Sequence, residues 1–137
     1  MITSTYRPDV DNIAVFKQFV VKDPTHVDQA KYRVTNINSN LSTTGLAYCT
    51  GLAMIIGTKK FMTHLDALTR IEPIIFAISS VIATEEIIPE LLEPFIYAGN
   101  LGSSITLQKA IDICLSVGIP EINYKILDVS MFDRVLI

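Results

Sequence analysis

The chain has 137 residues, of which 50% are hydrophobic and 18% are charged, and its formal net charge is −3. This length fits one domain with a proper hydrophobic core, and the composition excludes a disordered chain. The charges form no long run of one sign, so the sequence offers neither a basic surface for nucleic acid nor a polybasic membrane patch.

Apolar runs and cysteine spacing narrow the class of protein further. The longest apolar stretches, such as GLAMIIG and IIFAISSVIA, are shorter than the ~20 residues that a membrane-spanning helix requires. The polar start, MITSTYRPDVDN, has no secretory hydrophobic segment. Two cysteines without C-x-x-C spacing indicate neither a disulfide framework nor a metal site. We therefore expect a cytoplasmic protein in which Cys49 is a free thiol.

The first half of the chain is predicted to be rich in strands. NIAVFKQFVV has the composition of a strand, and KDPTHVDQA is typical of a surface turn that carries His26. KYRVTNI alternates and predicts a strand, which the loop NSNLSTTG follows. LAMIIGT predicts a buried strand, and KKFMTHLDA, at hairpin distance, predicts its antiparallel neighbour. This pairing brings Cys49 and His64 near one another.

The second half alternates predicted helices and strands. Apolar residues from Ile71 to Ile82 have helical spacing, with Pro73 in the first turn. TEEIIPELLE predicts a helical turn or loop, and PFIYAG a strand. A second helix is predicted from a serine cap at 103 or 104 to Val117, with an apolar stripe at positions 107, 110, 111, 114 and 115. EINYKILDV and MFDRVLI predict two final strands. The predicted class is α/β or α+β, with a layered mixed sheet flanked by helices.

Cys49 and His64 form the candidate catalytic pair. A cysteine hydrolase needs a thiolate, an imidazole that takes its proton and a third group that orients the imidazole. Cys49 follows a Gly/Thr-rich turn, where backbone N–H groups are available for an oxyanion. Thr43 and Thr44 supply oxygens that can accept a hydrogen bond from the second imidazole nitrogen. The residues alone leave alternatives open: a small buried cysteine, an ordinary histidine, or a zinc site with Asp66 that lacks a fourth ligand.

The motif TTGLAYC, followed by an apolar strand and a histidine on the next strand, resembles the bacterial chemoreceptor glutamine deamidase (CheD-like) family. That family has a Thr-x-Gly-Leu-Gly-Ser-Cys type motif and a downstream His. A wider superfamily with the same Cys–His arrangement includes the cytotoxic necrotizing factor toxins and a Burkholderia lethal factor. Thr43 lies six residues before Cys49, as the family's threonine does, while Gly45 and Leu46 match the next motif positions.

The C-terminal third is similar to the same family in its order of elements. An apolar strand that ends in Gly precedes a helix, a Gly-Ile pair at 118–119, a strand that ends at Asp128, and a strand with Arg134. The sequence departs from the pattern at Ala47 and Tyr48, which replace Gly-Ser, at Ala98-Gly99, which replaces Gly-Gly, and at SMFD, which replaces glycines. Asp128 and Arg134 are interpreted as a structural ion pair or rim residues, and Cys114 as a core residue.

The resemblance implies a deamidase fold over a single domain, residues 1–137, with its core in 31–137 and residues 1–30 as an extension or first strand. It implies that Cys49 attacks a glutamine side-chain amide, with His64 as its base and Thr43 orienting the imidazole. The products are glutamate and ammonia, formed through a thioester. Backbone N–H groups, including that of Cys49, are expected to bind the oxyanion. Neither a metal nor an organic cofactor is required.

A receptor or host protein is the implied substrate, so delivery into a host cell is an alternative to a role in the cytoplasm of the producing cell. The rival hypothesis is a catalytically degenerate binding or regulatory module with this fold, which Tyr48 and the lost glycines favour. A deamidase of small amides is less favoured because no Arg/Lys clamp for a carboxylate lies near the motif. If Cys49 is catalytic, its thiol is expected to react well below the ~8.5 pKa of an ordinary thiol.

Overall fold

The structure, a computed structural model, describes residues 4–6 and 25–137. The order of elements after residue 25 is strand-rich, then helix, strand, helix and two strands, as the sequence predicts. The strands are β1 (Ser4–Tyr6), β2 (Tyr32–Asn36), β3 (Ser42–Thr43), β4 (Thr50–Ile56), β5 (Lys59–Leu65), β6 (Phe95–Gly99), β7 (Lys125–Val129) and β8 (Arg134–Leu136). The α-helices are α1 (Glu72–Thr84) and α2 (Ser104–Ser116), and short 3-10 turns cover Pro89–Leu91 and Glu121–Asn123. The class is α+β.

Five strands form the central sheet, in the order β2-β5-β4-β6-β7. β4 and β5 are antiparallel and joined by a tight turn at Gly57, whose φ of +60° suits glycine. β6 is antiparallel to β4 but parallel to β7, because α2 carries the chain back across the sheet between them. The predicted hairpin that joins the Cys49 and His64 segments is therefore confirmed.

Both faces of β4 are covered, which explains its nearly continuous apolar sequence. Leu52, Met54 and Ile56 pack with apolar residues of α1 and α2 on one face. Ala53, on the opposite face, packs with Val135 and other residues of the small sheet side. That small sheet has the order β1-β8-β3. The result is a layer of helices, a five-stranded sheet and a three-stranded sheet.

Pro73 lies in the first turn of α1, as predicted, and the buried side chains of this helix face the sheet. The apolar stripe predicted for α2 is confirmed at four of its five positions: Ala110 and Cys114 are buried, and Leu107 and Ile111 are partly buried against the core. Leu115 is exposed, whereas Thr106 and Ile113 are also buried. A polar residue joins this face because the Thr106 hydroxyl hydrogen-bonds Thr50 Oγ1 at 2.8 Å.

Several smaller predictions are corrected or fall outside the described residues. The segment EINYKILDV begins as a 3-10 turn after Pro120, and its strand starts only at Lys125. The predicted loop NSNLSTTG contains the two-residue strand β3, which pairs with β8. TEEIIPELLE contains the 3-10 turn, and PFIYAG and MFDRVLI contain strands, as predicted. NIAVFKQFVV lies outside the described residues. In the described part of the chain, no helix has the length and apolar character needed to cross a membrane.

Candidate active site

Register places Cys49 and His64 on the same face of the central sheet. His64 on β5 is directly opposite Gly51 on β4, and Cys49 lies two residues before Gly51. Two such positions are diagonal neighbours across an antiparallel pair. Diagonal neighbours are roughly 7–8 Å apart from strand to strand, a distance that a long side chain can span. Cys49 packs among the residues between the two sheets. The structure therefore brings the two predicted residues into one neighbourhood.

Thr43 contacts His64 from the small sheet, as the motif predicts. Thr43 Oγ1 lies 2.8 Å from His64 Nδ1 and 2.8 Å from the carbonyl oxygen of Val27. The carbonyl oxygen of Val27 can only accept, so the Thr43 hydroxyl donates its proton to it. The hydroxyl oxygen then accepts a hydrogen bond from His64 Nδ1–H. This network selects the neutral tautomer of His64 in which Nε2 carries a lone pair.

His64 Nε2 is therefore the basic atom of the site. The side chain is only 3% exposed, and Nε2 has no hydrogen-bond partner among the described residues. Burial, reinforced by the neighbouring His26, lowers the pKa of the imidazole to about 4, against the opposing effect of Asp66 and Asp28. At neutral pH the imidazole is uncharged and able to accept a proton.

The Cys49 thiol is protonated in the resting protein. It is 8% exposed, and burial together with the negative charge of Asp66 raises the pKa of the thiol. The raised pKa disfavours a resting thiolate at neutral pH, so reaction of Cys49 well below ~8.5 would need a base that takes its proton. The resting site therefore pairs a neutral thiol with a neutral imidazole that can act as a proton acceptor.

The Cys49 amide is not available as an oxyanion donor, contrary to the expectation. Its N–H donates to the carbonyl oxygen of Leu46 at 3.0 Å and closes a tight turn over residues 46–49. The turn is held on the sheet by two further bonds: Gly99 N–H donates to Cys49 O, and Leu101 N–H donates to Ala47 O, both at 2.9 Å. Any oxyanion must therefore find another donor.

Asp66 follows β5 and carries its charge near Cys49. Burial opposes that charge, but hydrogen bonds from Thr69, Gln29 and the amide of Leu68 outweigh burial and lower the pKa of the carboxyl group. The alternative of a zinc site with Cys49 and His64 is not supported, since no group of three His, Cys, Asp or Glu side chains within the described ranges is arranged to hold a metal ion.

The remaining predicted residues lie around this centre or away from it. Cys114 is buried in the core, where burial raises its pKa to about 12, so its interpretation as a core residue is confirmed. Asp128 is exposed on β7, whereas Arg134 on β8 donates to Ser42 Oγ at 3.4 Å. Tyr48 is 65% exposed, in the turn before Cys49.

His26 was not recognisable from the sequence as part of this neighbourhood. It is predicted as a surface turn residue, but its side chain is only 15% exposed and its backbone forms a β-bridge with Ser42, next to Thr43. The carbonyl of Val27, which fixes the Thr43 hydroxyl, was also missed. A backbone acceptor carries no side-chain signal, so only the fold reveals it.

No family model matches the sequence, and no curated protein matches it. Among solved structures, the chain is similar to the Bacillus licheniformis hypothetical protein YfiH, with a TM-score of 0.57 and 11% identity over 77% of this chain and 60% of that one. It is also similar to YlmD from Geobacillus stearothermophilus, with a TM-score of 0.56 and 12% identity over 77% of this chain and 58% of that one. The chain thus spans about three fifths of these structures. At this identity the similarity is one of fold.

Proposed function

We propose that the chain is a cysteine-dependent deamidase that converts a glutamine side chain of a target protein to glutamate and ammonia. The observation that carries the proposal is the Thr43–His64 hydrogen bond, which leaves an unpartnered, buried Nε2 on the same face of the sheet as Cys49. The resemblance of TTGLAYC to the chemoreceptor glutamine deamidase motif supplies the reaction class and the finer fold assignment.

The reaction begins with a proton transfer that the resting charges require. Cys49 Sγ attacks the carboxamide carbon while its proton passes to His64 Nε2, giving a tetrahedral oxyanion and an imidazolium. Imidazolium then protonates the amide nitrogen, the C–N bond breaks and ammonia leaves a thioester on Cys49. His64 next takes a proton from water as the water oxygen attacks the thioester, the C–S bond breaks, and the proton passes from His64 to the sulfur, which restores the thiol and leaves glutamate in the target protein. Thr43 keeps Nε2 as the reactive nitrogen throughout.

A protein substrate is favoured by the surface beside Cys49. Tyr48, Leu101, Met131 and Phe132 are large apolar side chains that are about half exposed or more. These four side chains, the apolar rim, lie on loops that are hydrogen-bonded to one another. Leu101 N–H donates to Ala47 O, and Asn100 N–H donates to the carbonyl oxygen of Val129, at the end of β7, both at 2.9 Å. Exposed apolar side chains that cluster on neighbouring loops are typical of protein contact sites. A free amino acid would contact little of this apolar rim.

A binding module with an inactive site is the second candidate function. The observation that favours it is the burial of Cys49 together with the raised pKa of its thiol, both of which oppose nucleophilic attack. In that case the same apolar rim would hold a partner without altering it.

Thr43 variants distinguish the two functions. The probe is an unfolded, glutamine-rich protein, with ammonia release and conversion of glutamine to glutamate measured together. We expect Thr43→Val to lower the rate roughly 10- to 100-fold, because the isosteric side chain cannot accept from Nδ1–H and the reactive tautomer is lost.

Thr43→Ser is the matched control, since it keeps the hydroxyl between Val27 and His64. It should retain most of the activity even if removal of the methyl group lowers stability. Equal rates in the wild type, Thr43→Val and Thr43→Ser would remove Thr43 from the mechanism. No ammonia from the wild type, with the probe bound, would favour the inactive module.

A further inference from the structure

Tyr97, in the middle of β6, has a hydroxyl for which the described residues provide no hydrogen-bond partner. The side chain is fully buried between the two sheets, and its oxygen has no hydrogen-bond partner in the described part of the chain. Tyrosine hydroxyls in protein interiors usually find a partner, because burying one without a partner is unfavourable. A hydroxyl without a partner among the described residues is available to donate to a ligand that supplies an acceptor.

The register places Tyr97 beside the candidate site. Gly51 is opposite His64 on one side and opposite Tyr97 on the other, so His64 and Tyr97 flank it on one face of the sheet. Tyr97 Cβ and Cδ2 lie 3.6 Å from the point where a Cβ on Gly51 would stand, so the tyrosine packs directly against the glycine. Cys49, which lies just before β4 and two residues before Gly51, is a diagonal neighbour of both.

Two residues whose buried polar atoms lack described partners, His64 and Tyr97, thus lie on the same face of the sheet as Cys49. They are complementary in chemistry: His64 Nε2 is an acceptor, as the Thr43 network requires, and a phenol is a donor. Burial raises the pKa of Tyr97, so its hydroxyl keeps its proton at any working pH. The proposed reaction lacks such a donor, because the Cys49 amide is already bonded to Leu46.

We propose that the Tyr97 hydroxyl donates a hydrogen bond to the carbonyl oxygen of the carboxamide that Cys49 attacks. The bond strengthens as negative charge develops on that oxygen, so the hydroxyl stabilises the tetrahedral intermediate more than the bound substrate. This inference rests on the proposed function and adds to it the group that recognises the carboxamide.

Tyr97→Phe tests the proposal through the alkylation of Cys49. Iodoacetamide carries a carboxamide, whereas methyl methanethiosulfonate reacts with the same thiol and has no carbonyl oxygen. We expect Tyr97→Phe to slow the reaction of Cys49 with iodoacetamide roughly tenfold and to leave the rate with methyl methanethiosulfonate unchanged, since one hydrogen bond to the carbonyl is lost. The melting temperature should stay the same or rise, because the variant removes an unsatisfied buried hydroxyl.

Tyr124→Phe is the matched control. Its hydroxyl donates to Ile119 O at 2.9 Å, outside the candidate site, so its removal should lower the melting temperature and leave both alkylation rates unchanged. A Tyr97→Phe variant that melts earlier, as this control does, would show that the hydroxyl has a partner within the protein and would overturn the proposal. A ratio of the two alkylation rates that matches the wild type would also overturn it.

A third variant separates failure of this inference from failure of the proposed function. A slower reaction of both reagents with Cys49 in His64→Gln, together with an unchanged ratio of the two rates in Tyr97→Phe, would contradict only the role of Tyr97. If His64→Gln leaves the rates with both reagents unchanged, or if wild-type Cys49 reacts with neither reagent, the deamidase site itself falls, and the role of Tyr97 falls with it.

Discussion

Replacing Gly99 with alanine is expected to lower the free energy of unfolding by more than about 4 kcal/mol, or to prevent folding. Gly99 does not have a left-handed φ, so alanine would suit its backbone conformation. The obstacle is contact: a Cβ at this position would overlap the carbonyl oxygen of Leu46 and lie 2.5 Å from that of Ala47. Both oxygens belong to the turn that presents Cys49, and backbone atoms cannot rotate away as a side chain does. Urea unfolding measures the loss.

Gly45→Ala is the control for this variant. Gly45 lies in the same loop with a φ of +71°, and no atom lies within 4 Å of its Cβ position. Alanine there should cost only about 1–2 kcal/mol, the penalty of the left-handed conformation. Equal costs for the two variants would show that the turn moves easily and that Gly99 does not determine its position.

Cys49→Ala is expected to abolish turnover, with a fall in ammonia release of at least roughly three orders of magnitude. In the proposed mechanism the sulfur forms the thioester, and no other described group on that face of the sheet is a comparable nucleophile. The variant should remain folded, since alanine suits the apolar surroundings of this position. Ammonia release and glutamine conversion in the unfolded protein probe provide the measurement, with circular dichroism to establish that the variant is folded.

Cys114→Ala provides the comparison for the loss of a buried thiol. Cys114 is fully buried among helix and sheet residues on the opposite side of the central sheet, so its removal should lower stability and preserve turnover. Ammonia release that persists in Cys49→Ala, or that disappears in Cys114→Ala at temperatures where the variant is folded, would contradict the assignment of the nucleophile.

The elements that could be predicted are those whose hydrophobic periodicity and turn residues determine the local structure. The β4–β5 hairpin follows from two apolar runs around Gly57, and α1 from its periodicity and Pro73. The strand β3 could not be predicted, because two residues form a strand only through pairing with β8, more than ninety positions later. The stripe of α2 was predicted except at its edge, where Leu115 is exposed and Thr106 is buried, because a hydrogen bond between Thr50 and Thr106 that satisfies a buried threonine has no signal in the local pattern.

In the candidate site, the sequence motif predicted the identity of the residues, whereas their charge states and surroundings depend on the fold. Thr43, Cys49 and His64 came from a resemblance at fixed spacing, and the structure brings all three into one neighbourhood. The charge states of Cys49 and His64 could not be predicted from the motif. Burial lowers the pKa of His64 and raises that of Cys49, and this burial depends on the three-stranded sheet that covers them. Tyr97 carried no sequence signal, since its place beside Gly51 depends on strand register.

The most direct test of the site is the pH dependence of Cys49 alkylation by iodoacetamide in the wild type and in His64→Gln. His64 is protonated below its pKa of about 4 and neutral above it, so base assistance should appear as the pH rises through that value. The wild-type rate should then hold a plateau through neutral pH and rise again only when the thiol, whose pKa is raised, ionises by itself. His64→Gln should show the alkaline rise alone. A plateau of equal height in both proteins, or none in the wild type, would contradict the Cys49–His64 pair as a catalytic unit.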